Sequence, residues 1–100
     1  MRVYKVLLSQ SGTDAPTAVI LQNTLKFIPE YGYDSEGNFF VNGNFPAGKT
    51  TAFGICSAPV VIFSTDVNTE NQISIKTYKP DIHDFVNDAL NNSHFEINIK

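Results

Sequence analysis

Two segments of this chain alternate apolar and polar residues with a period of two. Ile73 and Ile75 alternate with Ser74 and Lys76, and apolar residues at positions 95, 97 and 99 alternate with polar ones. Because successive side chains of an extended strand point to opposite faces, this spacing places all the apolar side chains on one face. Both segments are therefore predicted to be half-buried β-strands, with one face against a core and the other in water.

Further extended segments are rich in β-branched and aromatic residues and are bounded by turn residues. They are residues 3–8, 18–22, 26–33, 38–45, 51–57 and 60–63. Pro29 cannot donate a ladder hydrogen bond, so its segment is expected at a sheet edge or a bulge. Residues 34–37 suit a tight hairpin with Gly37 in the left-handed conformation. The run at 60–63 is apolar on both faces, as expected of a central strand.

One helix is predicted near the C-terminus. Apolar residues recur there at helical spacing, at Ile82, Phe85, Val86, Ala89 and Leu90. Pro80 and Asp81 supply start signals, and the Asn pair at 91 and 92 supplies a stop. Together with about eight short strands, this predicts one mainly β domain over residues 1–100, an antiparallel β-sandwich or barrel-like pair of sheets with one short helix.

The stretch GNFPAGKT, residues 43–50, matches the phosphate-binding pattern G-x-x-x-x-G-K-[ST]. In that motif, backbone N–H groups at a helix N-terminus hold the phosphates. The residues that follow here include Gly54, several strand-prone residues and Pro59, which make a poor helix. Nucleotide binding through Gly48, Lys49 and Thr50 is therefore the less favoured interpretation.

A turn is the favoured interpretation of the same stretch. Proline suits the second position of a β-turn and glycine the fourth, and residues 45–48 place Pro46 and Gly48 at these positions. The motif is predicted to be a hairpin turn with an exposed Lys49.

An aromatic cluster surrounds the predicted hairpin at 34–37. Its members are Phe27, Tyr31, Tyr33, Phe39 and Phe40, with acids and an amide at positions 34, 36 and 38. Aromatic rings beside such groups suit a sugar ring or a protein partner, so these five residues are candidate contacts for either. The alternative is that the rings are simply core on one face of a sheet.

Charge excludes some classes of partner. The net charge of −3 offers no basic surface for nucleic acid and no polybasic anchor for a membrane. No apolar run approaches the length of a membrane span, and the first residues lack the pattern of a signal peptide. Because charged residues make up 17% of the chain, much neutral surface is left for neighbouring subunits to cover.

No residue pattern predicts catalysis, a metal or a cofactor, and the protein is predicted not to be an enzyme. Cys56 has no partner for an intrachain disulfide and is interpreted as a buried structural thiol. Asp81, Asp84 and Asp88 share one face of the predicted helix, and the solvated side of that helix is preferred to a cation site. No spacing of Ser, His and Asp indicates a triad.

Three stretches resemble a group of small β-rich proteins of tailed phages and prophages of Bacteroidota. They are YKVLLSQSGTDAPTAVILQNTL at the start, GNFFVNGNFPAGKTTAF in the middle and DALNNSHFEINIK at the end. The resemblance implies a non-enzymatic virion structural protein, such as a head-decoration or fibre subunit, made in the host bacterial cytoplasm. Its partners would be other virion proteins or copies of itself. A carbohydrate-binding or adhesion module that uses Tyr31, Tyr33 and Phe40 as stacking platforms is the alternative.

Overall fold

Strands dominate the fold. The computed structural model describes residues 1–46, 48–55, 62–69 and 71–100, the third range by its backbone alone. These ranges contain nine strands, which are β1 (Arg2–Ser9), β2 (Thr17–Asn23), β3 (Glu30–Ser35), β4 (Asn38–Asn42), β5 (Thr50–Ile55), β6 (Ile62–Thr69), β7 (Gln72–Lys79), β8 (Asp84–Phe85) and β9 (Ser93–Ile99).

The strands form two antiparallel sheets. The four-stranded sheet has the order β2-β1-β9-β5, and the five-stranded sheet has the order β3-β4-β7-β6, with β8 also paired to β7. The mainly β, antiparallel architecture predicted from the sequence is confirmed. Cys56 and residues 57, 60 and 61 of the predicted strands lie outside the described residues.

One buried cluster lies between the two sheets. From the four-stranded sheet it includes Tyr4, Val6, Leu8, Phe95, Ile97 and Ile99, and from the other sheet Phe39, Val41, Ile73 and Ile75. Along β9 every second residue is buried, and β7 shows the same alternation over Ile73 and Ile75. The period-two prediction is confirmed, and the shared cluster makes the fold sandwich-like.

The five-stranded sheet corrects two details. The segment at 26–33 does supply an edge strand, but β3 begins only at Glu30, and Lys26 has a positive φ of 73° that interrupts an extended chain. The run at 60–63 contributes Ile62 and Phe63 to β6, which stands at the end of its sheet among the described strands. The prediction of a central strand is wrong there, because an apolar run does not specify how many neighbours a strand has.

The predicted helix is also wrong. Residues 80–92 form turns and the two-residue strand β8, and the described residues contain no helix, hence none that could cross a bilayer. His83, Asp88 and Asn92 have positive φ angles of 53°, 63° and 49°, which a right-handed helix does not allow. The reason is tertiary: the Val86 N–H donates to the Thr77 carbonyl (3.0 Å), and the Thr77 hydroxyl donates to the Val86 carbonyl (2.6 Å). These bonds satisfy backbone groups that a helix would pair internally.

A buried glutamine fixes the loop between β1 and β2. The Gln10 amide donates to the carbonyls of Gly12 (2.8 Å) and Asp14 (3.1 Å), and its oxygen accepts from the Asp88 N–H (2.9 Å). The Asp88 carboxylate in turn accepts from the Gly12 N–H (2.7 Å). Asp88, interpreted above as solvated, therefore clamps two loops together.

Candidate functional site

The GNFPAGKT stretch joins the two sheets. It follows β4 of the five-stranded sheet and leads into β5 of the four-stranded sheet. The Lys49 N–H donates to the Pro46 carbonyl (3.2 Å), and Gly48 has a φ of 73°. The predicted turn is confirmed one residue later than expected, with Ala47 outside the described residues. The hairpin prediction is wrong, because β4 and β5 are not neighbours in one sheet.

The residues after this turn are extended. Thr50 begins β5 instead of a helix, and its hydroxyl donates to the Pro46 carbonyl (2.9 Å). The Lys49 carbonyl accepts from the Lys100 N–H (2.9 Å), which continues the pairing of β5 with β9. Because a strand follows Lys49, the stretch lacks the helix N-terminus on which a P-loop depends.

The candidate aromatic residues divide between the two faces of the β3–β4 hairpin. Tyr31 and Tyr33 pair with Val41 and Phe39, so all four side chains point to the core side of the sheet. Phe40 pairs with Gly32 and lies on the opposite, outer face. The hypothesised platform of Tyr31, Tyr33 and Phe40 is therefore not a single surface.

Hydrogen bonds and ring contacts hold the inward rings. The Tyr31 and Tyr4 hydroxyls are 2.6 Å apart, and the Asn87 amide donates to the Tyr33 hydroxyl (3.0 Å). Tyr33 and Phe39 have ring centroids 5.8 Å apart. Phe27 lies against Phe45, edge to face, with centroids 5.9 Å apart. Phe27, Tyr31, Tyr33 and Phe39 thus belong to the core side, as the alternative interpretation expects.

The Tyr4–Tyr31 pair makes stability depend on alkaline pH. Burial raises the pKa of both phenols above the ordinary value of 10.0, and the neighbouring Tyr4 raises that of Tyr31 further. The unfolded chain releases these protons near pH 10 while the folded protein keeps them, so stability is full below pH 10 and falls above it. We therefore expect the free energy of unfolding to fall as the pH rises above 10, with Tyr31, whose pKa is raised the more, making the larger contribution.

Urea unfolding between pH 9 and pH 11 measures this dependence. Tyr31→Phe is the matched variant, because it removes one titrating hydroxyl and keeps the ring. We expect its free energy of unfolding to fall less steeply above pH 10 than that of the unaltered protein. Parallel curves would contradict the assignment.

Exposed apolar side chains concentrate on the four-stranded sheet. Of the eight exposed large apolar residues among those described, five lie on its outer strands, namely Val19, Ile20 and Leu21 on β2 and Phe53 and Ile55 on β5. Val19 is 58% exposed, Phe53 46% and Ile55 66%. These residues lie on the two outer strands of one sheet, with β1 and β9 between them. Exposed apolar side chains grouped on one sheet are a feature of interaction sites.

Strand register places three of these residues, Val19, Phe53 and Ile55, in two rows on the outer side of the sheet. One row runs Val19, Leu7, His94, Ile55 across β2, β1, β9 and β5. The adjacent row runs Gln22, Lys5, Glu96, Phe53. We call these eight residues the outer face. With strands about 4.8 Å apart, each row spans roughly 15 Å between its outermost backbones.

A small charged group lies in the middle of the outer face. Glu96 is 3.4 Å from the His94 imidazole and 4.0 Å from the Lys5 ammonium, and the rings of His94 and Phe53 have centroids 6.0 Å apart. The opposite charges of Lys5 and Glu96 thus lie next to each other, and the apolar residues of the outer face lie beside them. Such an arrangement suits contact with another protein, since apolar area supplies affinity and the charges supply orientation.

Sequence reasoning missed the outer face. A usable signal was the run of four consecutive apolar residues at positions 18–21, in a strand at the edge of its sheet. A strand with one buried face needs only two of these four residues to be apolar, so the other two are available for contacts outside the core. Within the described ranges, no group of three His, Cys, Asp or Glu side chains is arranged to hold a metal ion. Comparison of the chain with protein-family models, with curated proteins and with solved structures finds no match.

Proposed function

We propose that the protein is a non-enzymatic structural protein that acts through protein–protein contacts made by the outer face and the adjoining β2 edge. The observation that carries this proposal is the concentration of exposed apolar side chains on β2 and β5. The resemblance to small phage proteins gives the specific form, a virion component such as a head-decoration or fibre subunit. Its partners are other virion proteins or copies of itself.

The β2 edge suits pairing with another chain. β2 has the sequence TAVILQN, with no charged residue and no proline, and none of the described strands pairs with its outer side. Strand edges that avoid association usually carry charges or proline, as β3 does with Glu30 and Asp34 after Pro29. An extended segment of a partner can add to the β2 edge through backbone hydrogen bonds while its side chains cover Val19 and Ile20.

The energetics favour a combined surface over the two rows alone. Burying an exposed side chain such as Val19 or Ile55 contributes roughly 1 to 3 kcal/mol. A stable interface buries about 800 Å² on each partner. A partner that covers both the outer face and the β2 edge buries more apolar surface than one that covers either alone.

The first test is the composition of the particle. We expect peptide mass spectrometry of purified, nuclease-treated virions of the encoding phage to detect the protein at a fixed ratio to the major capsid or tail protein. Its presence in infected cells and absence from washed particles would overturn the virion assignment.

The second test concerns the surface. We expect the double variant Phe53→Thr, Ile55→Thr to fold normally, because both side chains are exposed and threonine keeps a strand-compatible shape. Incorporation into particles, or self-association measured by light scattering, should fall by about tenfold or more. The matched control is Ile28→Thr, Ile82→Thr, which alters two exposed isoleucines off the sheet. Equal losses in both variants would contradict a role for the outer face.

A further inference from the structure

A groove lies on the outer side of the five-stranded sheet. It has a volume of about 310 Å³ and is lined by Phe39 and Phe40 together with the polar residues Asp34, Asn38, Gln72, Ser74 and Lys76. Phe39 is buried with its side chain on the core side of the sheet, so Phe40 supplies the accessible ring. None of the exposed large apolar residues among those described belongs to this lining. The groove is therefore unlike the outer face, and it is polar around one aromatic ring.

Gly32 explains how the Phe40 ring is placed. Phe40 pairs with Gly32 across the β3–β4 hairpin, and the tip of its ring lies over the glycine. A Cβ at position 32 would come within 2.0 Å of the ring tip, so any side chain there displaces the ring. The ring is half-buried, which leaves part of it accessible within the groove.

Polar side chains flank the ring along the strands. The register pairs Asn38 with Lys76 on one side of Phe40 and Asn42 with Gln72 on the other. The Gln72 amide donates to the Asn42 side-chain oxygen (3.3 Å), which orients both groups beside the ring. Amide side chains thus flank the Phe40 ring along the strands, whereas the Lys76 ammonium lies 5.9 Å from the centroid of the Phe85 ring.

We infer that this groove binds a neutral pyranose ring of a glycan. The C–H face of a sugar is apolar and suits an aromatic ring, while its hydroxyls both donate and accept, as amides and a carboxylate require. Asp34 and Lys76 carry opposite charges, so the lining has no net charge that favours an anion. A site of a few hundred cubic ångströms with a few polar groups around an apolar surface is of ligand-binding type.

This site is independent of the proposed function, because it lies on a different sheet from the outer face. It also differs from the aromatic platform expected from the sequence, since Tyr31 and Tyr33 point to the core. Phe40 supplies the accessible ring. Asp34 and Asn38 belong to the cluster expected from the sequence, and β7 adds Gln72, Ser74 and Lys76, which the sequence pattern did not bring to it.

The test is an NMR titration of the labelled protein with methyl glycosides of glucose, galactose, mannose and N-acetylglucosamine. We expect at least one of them, at up to roughly 50 mM, to shift the backbone amides of residues 38–42 and 72–76 with a millimolar dissociation constant. Shifts confined to other residues, or none with any of the four, would overturn the inference. So would a response to glucose 6-phosphate alone, since that indicates an anion site at Lys76.

Variants test the residues. We expect Phe40→Ala to weaken binding about tenfold or more, because the ring loses its contact with the sugar. Ile28→Ala is the control, an exposed apolar residue outside the strands and outside the groove lining, and should leave the titration unchanged. Gln72→Ala is a second variant, which leaves the Phe40 ring in place and removes one polar group of the groove. It should also weaken binding. Unchanged affinity in folded Phe40→Ala or Gln72→Ala would overturn the assignment.

Discussion

Replacing Gly37 with alanine is expected to lower the free energy of unfolding by about 3 kcal/mol. Gly37 closes the β3–β4 hairpin with a φ of 69°, in the left-handed region that disfavours a side chain. An added Cβ would also lie 2.5 Å from the Val86 nitrogen and 2.8 Å from the Thr77 carbonyl oxygen. Both are backbone atoms, so neither can rotate away as the end of a side chain can.

The close contacts exist because three segments meet at Gly37. Its N–H donates to the Asn87 side-chain oxygen (2.8 Å), and its carbonyl accepts from the Thr77 N–H (2.9 Å). A shift of the hairpin that relieved the Cβ contact would stretch both bonds. We therefore expect the strain to appear as lost stability and not as a local adjustment.

Gly48→Ala is the matched control for this prediction. Gly48 has nearly the same φ, 73°, but no atom of the described residues lies within 4 Å of an added Cβ. We expect Gly48→Ala to lower the free energy of unfolding by about 1 kcal/mol, because it adds only the strain of a left-handed conformation. Urea unfolding of both variants measures the difference. Equal losses would show that the contacts of Gly37 with residues 77–86 do not hold in solution.

Replacing Phe45 with alanine is expected to lower the free energy of unfolding by about 3 to 5 kcal/mol. Phe45 is fully buried in the core cluster, and its ring contacts Phe27 edge to face. The ring also comes within 2.9 Å of where a Cβ on Gly43 would be, so the chain is tightly packed around it. Alanine would leave a cavity that these neighbours cannot fill without moving backbone.

Two further variants sharpen this prediction. Phe45→Leu keeps most of the volume and should cost less than about 1.5 kcal/mol, which distinguishes packing from any other effect of the substitution. Lys49→Ala removes the exposed lysine of the same GNFPAGKT stretch and should change stability by no more than about 0.5 kcal/mol. Thermal or urea unfolding gives all three values. A large effect at Lys49 with a small one at Phe45 would contradict the structural interpretation of this stretch.

The strands that were predicted best from the sequence are those with one buried face and one face in water. Residues 73–76 and 95–99 alternate strictly, and β7 and β9 bury the expected residues. The hairpin at Gly37 was also predictable, because only glycine takes a left-handed turn position without cost. These are local rules, in which each residue needs information only from its neighbours in the chain.

The prediction of a helix was wrong because helical spacing is a local property, whereas this segment forms hydrogen bonds with other parts of the chain. Residues 82–90 have helical spacing, yet their backbone pairs with β7 and their loop is held by Gln10. Ile82, on the expected apolar stripe, is exposed, while Ala89 and Leu90 are buried. Hydrogen bonds to residues far away in sequence outweighed the weak propensity of a short helix.

The candidate site shows the same division. The sequence by itself determined that this chain makes antiparallel strands with an apolar side, and that GNFPAGKT bends instead of opening a helix. Only the tertiary structure decided which rings face inward, that Val19, Leu7 and Ile55 align across three separate strands, and that Phe40 stands alone among polar groups. The physical reason is that side-chain alternation is fixed within a strand, whereas register and sheet order depend on pairing between strands distant in the chain.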